Sequence, residues 1–461
     1  MFNKLFPYKL QLQIFQLDEY SVSKFLHWIS KHFLTRAIQN KKPLVWTQKA
    51  KVIYSLAILL ALLLVVILTF RLKFLGLILG IFLTTQAYIL LILAYYLLLP
   101  LDQYKKNKIK QETKNKLSSF SKLTVIGITG SYGKTSVKEF LYHILKTEHQ
   151  VLKTPESYNT PFGIAKVVDL ELDDSYEYFI CEMGAYHIGE IKEICDMVNP
   201  KYGILTGINE QHLETFGSLE NTIKGKFELI ESLPDNSFGI INIDNPHIRN
   251  NYQNYRKKLI PYGFGDENFS IRNIRHQAHG TDFTLILDRK EYHAQTKLLG
   301  KPNLQNILAA ATMSYMLKVK PHTIITAIAG LQPVPHRLEI KRIYDSLTVI
   351  DDAYNSNVNG FKEALALLST FNTPKILVTP GIVDLGDQTF SIHKKLGELL
   401  DEIDYVFLIG KSERTRGIKE GIKNKNKVRE TETLKEVWTE IKDLKLQHPV
   451  VLLENDLPDN Y

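Results

Sequence analysis

The chain is poor in cysteine: among 461 residues only Cys181 and Cys195 carry thiols. Two thiols exclude a disulfide framework and a four-cysteine zinc site by count, and they suit a reducing compartment. Internal repeats and low-complexity tracts are also absent, which removes solenoid and tail-like architectures. Hydrophobic residues make up 44% and charged residues 23%, so the chain is not broadly disordered. Charge itself is missing from two long stretches, residues 52–70 and residues 74–100, which are separated only by Arg71, Leu72 and Lys73.

As helices these stretches would reach about 28 and 40 Å, enough to cross a hydrocarbon core of about 30 Å. The first run starts too late and is too long for a signal peptide, and a second follows at once. The net charge is +8, and its excess flanks these runs. Residues 1–50 hold eight Lys and Arg against Asp18 and Glu19, and residues 101–116 hold six Lys against Asp102 and Glu112. Basic flanks stay on the cytoplasmic side, so the pattern predicts a re-entering transmembrane hairpin with both ends in the cytosol. That placement of charge points to membrane lipids as the partner and not to nucleic acid. Ahead of it, Val22, Phe25, Leu26, Ile29 and Phe33 fall at helical spacing. This is either an interfacial helix on anionic lipid or an amphipathic helix packed on the soluble region. Residues 101–121 read as a basic linker, helical or coiled; as a coil it would reach about 20–30 Å.

From Lys122 onward, strand-like and helix-like runs alternate, the pattern of a parallel sheet covered by helices. Strands are expected at 123–126, 177–181, 202–205 and 239–243, antiparallel strands within 269–299, and a second alternating set at 347–350, 375–378, 405–408 and 450–453. A domain boundary is expected near Pro333–His336.

The sharpest motif is Gly127-Ile-Thr-Gly-Ser-Tyr-Gly-Lys134-Thr-Ser136, between a predicted strand and a predicted helix. Glycines let backbone N–H groups face phosphate oxygens, and the helix N-terminus adds positive potential. Lys134 would reach the β- and γ-phosphates of ATP, and Thr135 would hold Mg²⁺. Ile128 stands where the strict pattern has glycine, so this is not a generic phosphate loop.

The segment Thr129-Gly130-Ser131-Tyr-Gly133-Lys134-Thr135-Ser136 resembles the Thr-Gly-x-x-Gly-Lys-Thr-Thr/Ser loop of the Mur ligases, which build the peptide of peptidoglycan. The likeness continues through most of 122–400 and is greatest to the branch that adds D-alanyl-D-alanine. Lys153-Thr-Pro-Glu-Ser-Tyr-Asn159 with Gly163 is similar to that branch's substrate segment. Glu182-Met-Gly-Ala-Tyr-His-Ile-Gly-Glu190 is similar to its second-metal segment. His212 leads to Lys226 at the family's spacing. Asn242-Ile-Asp244 and Gly300-Lys-Pro-Asn303-Leu-Gln-Asn306 resemble adenine-side segments. His336-Arg337-Leu-Glu339 and Asp351-Asp352-Ala-Tyr-Asn355-Ser-Asn357 resemble the start of the third domain, and Gly381–Gly386 with His393 a further segment.

The resemblance implies an ATP-dependent ligase of α/β class that joins a carboxylate to an amine. After the interfacial segment (1–50), the hairpin (51–100) and the linker (101–121), it implies a central ATP-binding domain at 122–332 and a Rossmann-like domain at 333–461. It implies that Lys134 and Arg337 meet phosphate, that Glu182 and His212 hold a second Mg²⁺, and that Lys226 is carbamylated and helps hold it. Asp351 or Asp352 would orient a ribose or the incoming amine. Asn159, Asn355, Asn357 and His393 would face substrate, His393 having a plain helix-face role as its alternative. The implied substrates are a peptidoglycan precursor, UDP-linked or lipid-linked, and an amino acid or dipeptide. Chemically, ATP can convert a carboxylate to an acyl phosphate, and that step needs cations and backbone donors around the γ-phosphate.

The chain departs from the family in three places. The hairpin stands where the family has its UDP-sugar domain. Thr160 replaces the usual asparagine. The branch's Lys-Gly-Ser-Arg segment near the C-terminus is replaced by Glu454-Asn-Asp-Leu. A poly-γ-glutamate-synthetase type of ligase and a non-catalytic nucleotide-binding scaffold therefore remain alternatives.

Overall fold

The computed structural model describes residues 7–18, 20–32, 43–156, 158–209, 213–277, 280–343, 347–354, 357–383 and 385–455. The chain divides into two compact units, Met1–Ile109 and Lys110–Tyr461.

In the first unit, helices Tyr8–Leu17 and Val22–His32 precede two long apolar helices, Gln48–Thr84 and Ala87–Ser119, the second running on into the next unit. The helix Gln48–Thr84 reverses direction at Lys73, whose φ of 51° and ψ of −129° leave the helical region. A Cβ on Gly76 would collide with the Leu68 carbonyl, and one on Gly80 would lie 2.9 Å from Val65 Cα. The arms on either side of Lys73 therefore lie back to back, and small residues let them approach. Further from the turn, Ala50, Ile53, Ala57 and Ala61 bury themselves against Ala87, Leu91 and Ala94. Phe25 and Ile29 pack on Phe15, Tyr88, Ile92 and Tyr95. Phe25 and Ile29 of helix Val22–His32 are thus covered within this unit, while Leu26 on the same stripe is 43% exposed. Phe33 lies outside the described residues. Residues 101–119 are helical throughout, which replaces the flexible-coil reach by a rise of about 1.5 Å per residue.

In the second unit, strands β1 (Thr124–Thr129), β2 (Val151–Lys153), β3 (Tyr178–Glu182), β4 (Tyr202–Leu205), β5 (Phe238–Asn242) and β6 (Leu259–Tyr262) form a parallel sheet of order β2-β3-β1-β4-β5-β6. β7 (Phe269–Gln277), β8 (Gly280–Leu287) and β9 (Lys290–Thr296) make an antiparallel meander with a register shift between Arg272 and Arg275. β10 (Glu339–Ile343), β11 (Leu347–Asp352), β12 (Lys375–Thr379), β13 (Tyr405–Ile409), β14 (Val428–Thr431) and β15 (Val450–Glu454) form a second sheet of order β10-β11-β15-β12-β13-β14. Only β10 runs antiparallel in it.

β1 is a β-branched run buried on both faces, as a central parallel strand requires. The helix after it, Lys134–Leu145, buries Val137, Phe140, Leu141 and Ile144 against the sheet, worth about 1.5–3 kcal/mol for each side chain. Connections from β1 and β4 leave in opposite directions, so the carboxyl ends of these strands open a crevice, where α/β sheets bind ligands.

Candidate active site

The phosphate loop lies at that crevice and is held from beneath by the turn after β4. Ser131 N donates to Gly207 O at 2.7 Å, and the Thr206 hydroxyl donates to Thr129 O at 3.2 Å and to Tyr132 O. Gly130 has φ 151° and Gly133 φ 79°, both left-handed-side conformations open to glycine. A side chain on Gly130 would strike Thr206, and one on Gly133 would meet Asn306 Oδ1 at 2.6 Å. Asn245 Nδ2 donates to the Tyr132 hydroxyl at 3.0 Å, and burial pushes that phenol's pKa up. Lys134 opens the helix, and its Nζ donates to Gly130 O at 2.8 Å. Burial lowers the Lys134 pKa; Glu182 opposes that shift and Arg337 adds to it.

The loop forms one wall of a cleft of about 560 Å³. Glu182, Asn159, Ala185 and Lys226 line it on the first sheet's side, and Arg337, Asp352, Tyr354 and Asn357 on the second sheet's side. Glu182 ends β3 and is 1% exposed. Its Oε1 accepts from Asn159 Nδ2 at 3.2 Å, and Lys138 Nζ lies 3.1 Å from Oε2. Oε2 has no hydrogen-bond donor in acceptable geometry, so a buried carboxylate oxygen is left for a cation. With the Thr135 hydroxyl on the cleft wall, this oxygen-rich setting fits Mg²⁺. Among the described residues no three His, Cys, Asp or Glu side chains gather, so phosphate oxygens and water would complete the coordination. His212 lies outside the described residues, as does Asn355.

Lys226 is 2% exposed and donates to Ala185 O at 3.2 Å. Burial lowers its pKa to about 7, with the charge of Lys134 as the second cause. The Arg337 guanidinium stacks 4.3 Å from the Tyr354 ring centroid. Asp352 accepts from Leu338 N at 3.1 Å, and burial raises its pKa to about 6 against the pull of Arg337.

The loop residues from Gly130 to Ser136, with Asn159, Glu182, Lys226, Asn303, Asn306, Arg337, Asp352 and Asn357, share this cleft. Four expected contacts are placed elsewhere. Thr129 is wholly buried and donates to Met183 O at 3.0 Å, joining β1 to the end of β3. Asn242 donates to Thr206 O at 2.8 Å and accepts from Asp244 N at 3.0 Å, so Asp244, Asn245 and Gln305 face the cleft in its place. Asp351 faces away and binds Lys341 at 2.8 Å and His336 at 2.9 Å. His393 is wholly buried; its Nε2 accepts from Ile382 N at 2.8 Å and its Nδ1 meets Thr389 O at 2.6 Å. It lies on the buried face of helix Thr389–Glu398 and holds the Gly381 turn, which agrees with the helix-face alternative. Asn357 spends its side-chain oxygen capping helix Val358–Ser369.

Sequence reasoning missed Thr206, Tyr132, Asn245, Glu228 and Lys138. Asn245 carried a signal, since asparagine before proline opens a helix. Glu228 accepts from Gly189 N and Lys192 N and so caps helix Glu190–Val198 from another helix, which no local pattern announces.

Residues 128–314 match the Mur ligase middle domain, and residues 336–453 match the Mur ligase glutamate ligase domain. The UDP-N-acetylmuramoyl-tripeptide--D-alanyl-D-alanine ligase of Escherichia coli (strain K12) is 31% identical over 307 residues, 65% of this chain and 67% of that protein. The ligase of the same name from Buchnera aphidicola subsp. Acyrthosiphon pisum (strain APS) is 31% identical over 332 residues, 70% of this chain and 73% of that protein. The crystal structure of MurF ligase from Thermotoga maritima in complex with ADP superposes with a TM-score of 0.69 at 24% identity, over 77% of this chain and 81% of that one. The chain belongs to the Mur ligase family.

Proposed function

We propose that this chain is an ATP-dependent, ADP-forming ligase that joins the terminal carboxylate of a peptidoglycan-precursor peptide to the amine of D-alanyl-D-alanine. The carrying observation is convergence on one cleft: a glycine phosphate loop with Lys134, the buried carboxylate Glu182, and the buried lysine Lys226 with its pKa near 7. The relatives named above act on UDP-N-acetylmuramoyl-tripeptide, which makes that molecule the first candidate for the carboxylate.

The loop N–H groups and Lys134 cradle the β- and γ-phosphates. Arg337 reaches the same space from the second sheet and adds to the cationic surround. Thr135 and Glu182 would hold Mg²⁺, which would neutralise the negative charge of the reacting phosphate. The carboxylate oxygen attacks phosphorus, ADP leaves, and the resulting acyl phosphate is attacked by the amine with loss of phosphate. Lys226, about half neutral at pH 7, would offer carbamate oxygens to that cation once its neutral amine adds CO₂, and His212 would complete that set. Asp352 stands where it can accept a hydroxyl or ammonium proton of a ligand.

The first unit is read as a membrane hairpin. Its long helices are only 17% and 22% buried over their most apolar windows, and Val66, Phe70 and Phe74 are largely exposed. Apolar surface of that extent needs cover, and a bilayer gives it. The catalytic unit then works at the cytosolic face, where a membrane-held acceptor is concentrated near the cleft. Both a UDP-linked and a lipid-linked acceptor fit this placement. The test is ADP release by the full chain in detergent with ATP, UDP-N-acetylmuramoyl-tripeptide and D-alanyl-D-alanine. Release should require both co-substrates; nucleotide binding without any substrate-dependent release would favour a scaffold.

A further inference from the structure

Lys138 was singled out by no motif, yet it is the most completely buried cation near the cleft. It follows Lys134 by one helical turn and is 0% exposed. Its Nζ lies 3.1 Å from Glu182 Oε2 and 3.9 Å from Glu139 Oε1, and it donates to the Glu156 carbonyl at 2.5 Å. Glu156 has φ 39°, a left-handed backbone in the segment that ends at Asn159. Asn159 returns to the same acid: its Nδ2 donates to Glu182 Oε1, and its carbonyl accepts from Gly184 N at 2.9 Å. One ammonium thus ties the carboxylate of the cleft to the loop expected to present substrate.

We propose that Lys138 is a positioning residue with two tasks: it balances the charge of Glu182 while no divalent cation is bound, and it fixes Glu156, three residues before Asn159, relative to that carboxylate. The first task follows from burial. An isolated carboxylate at 1% exposure is costly, and an ammonium at 3.1 Å offsets that cost. The contact is electrostatic and lacks hydrogen-bond geometry, so Oε2 keeps a direction open to a metal ion. The second task follows from the Glu156 carbonyl, whose left-handed residue needs a fixed anchor. The consequence is a competition. A resident positive charge weakens the attraction of Glu182 for Mg²⁺, so metal is held firmly only when the γ-phosphate adds its own charge. Lys138 would then link metal retention to the presence of ATP. This rests on the ligase reading through the metal role of Glu182.

The test is Mn²⁺ binding to the full chain in detergent with a non-hydrolysable ATP analogue, followed by electron paramagnetic resonance of free Mn²⁺. The variants are Lys138→Gln and Lys138→Met, two neutral side chains of similar length in case one does not fold, and Lys138→Arg, which keeps the charge. The neutral variants should bind the weaker Mn²⁺ about tenfold more tightly. Lys138→Arg should stay near the wild type, and the gain should vanish in a Glu182→Gln background. The neutral variants should also raise KM for the carboxylate substrate more than KM for ATP. Unchanged or weaker Mn²⁺ binding in the neutral variants overturns the proposal. A wild-type chain that binds a single Mn²⁺ overturns the metal role of Glu182 together with this proposal, while ADP release that needs both co-substrates would still support the ligase.

Discussion

Asp352 and Glu454 stand opposite each other at the carboxyl ends of the neighbouring parallel strands β11 and β15, and Glu454, wholly buried, hydrogen-bonds the Asp352 carboxyl on the wall of the cleft. Burial raises Asp352 to about 6, and the Arg337 charge and the Leu338 N–H act against it. An acid whose folded pKa is raised stabilises the fold most below its unfolded value, and that contribution is lost as pH rises through about 6. Asp352→Asn should therefore raise Tm at pH 8, by at most about 3 kcal/mol of stability, and the advantage should shrink below pH 6. Thermal unfolding at pH 5 and pH 8 checks this; an advantage that grows toward low pH contradicts it.

Lys134→Ala should lower substrate-dependent ADP release by about a thousandfold with little change in Tm. The reason is local: its Nζ donates to Gly130 O on the loop, and the helix it opens is held by Val137, Phe140 and Leu141. Wild-type turnover in this variant would remove the phosphate loop from the mechanism.

For Lys226 the sign runs the other way. Burial holds its folded pKa at about 7, so the amine is mainly neutral above pH 7 and becomes charged as pH falls below it. Only the neutral amine adds CO₂. Activity should depend on bicarbonate, fall below pH 7, and be lost in Lys226→Ala with partial rescue by acetate. Intact mass of the protein prepared with bicarbonate should show the added CO₂. Full activity of Lys226→Ala in bicarbonate-free buffer would contradict the carbamate.

The hairpin makes a separate prediction. Gly80→Leu should separate the arms at Val65 and impair membrane retention, since the glycine has no room for a side chain. Truncation near Lys122 should leave soluble ligase activity in place while lowering turnover of a lipid-linked acceptor. Equal turnover of soluble and lipid-linked acceptors by truncated and full-length chains would leave the tether no catalytic part.

What could be read from the sequence had local causes. β1, β3, β4, β5 and the central strands of the second sheet announce themselves as buried apolar runs, and the loop from Gly130 to Ser136 as glycines between a strand and a helix. β2, β6 and β14, three or four residues each, are too short to carry a period, and their pairing comes from the sheet they join. Asn242, Asp351 and His393 were assigned by resemblance to positions in a motif. Which way each side chain turns was settled by the next strand or turn: Thr206 takes Asn242, Lys341 takes Asp351, and Ile382 takes His393. Lys138 was invisible for the opposite reason. A lysine on a helix reads as solvated surface, and only the fold brings Glu182, from β3, to meet it.

The measurement that tests the central claim most directly is isotope transfer. With ¹⁸O in the reacting carboxylate of the precursor peptide, a mechanism through an acyl phosphate moves one labelled oxygen into inorganic phosphate for each amide bond formed. The account predicts that label in phosphate, with ADP as the other product and dependence on Lys134. Unlabelled phosphate, or label in AMP with release of pyrophosphate, would contradict it.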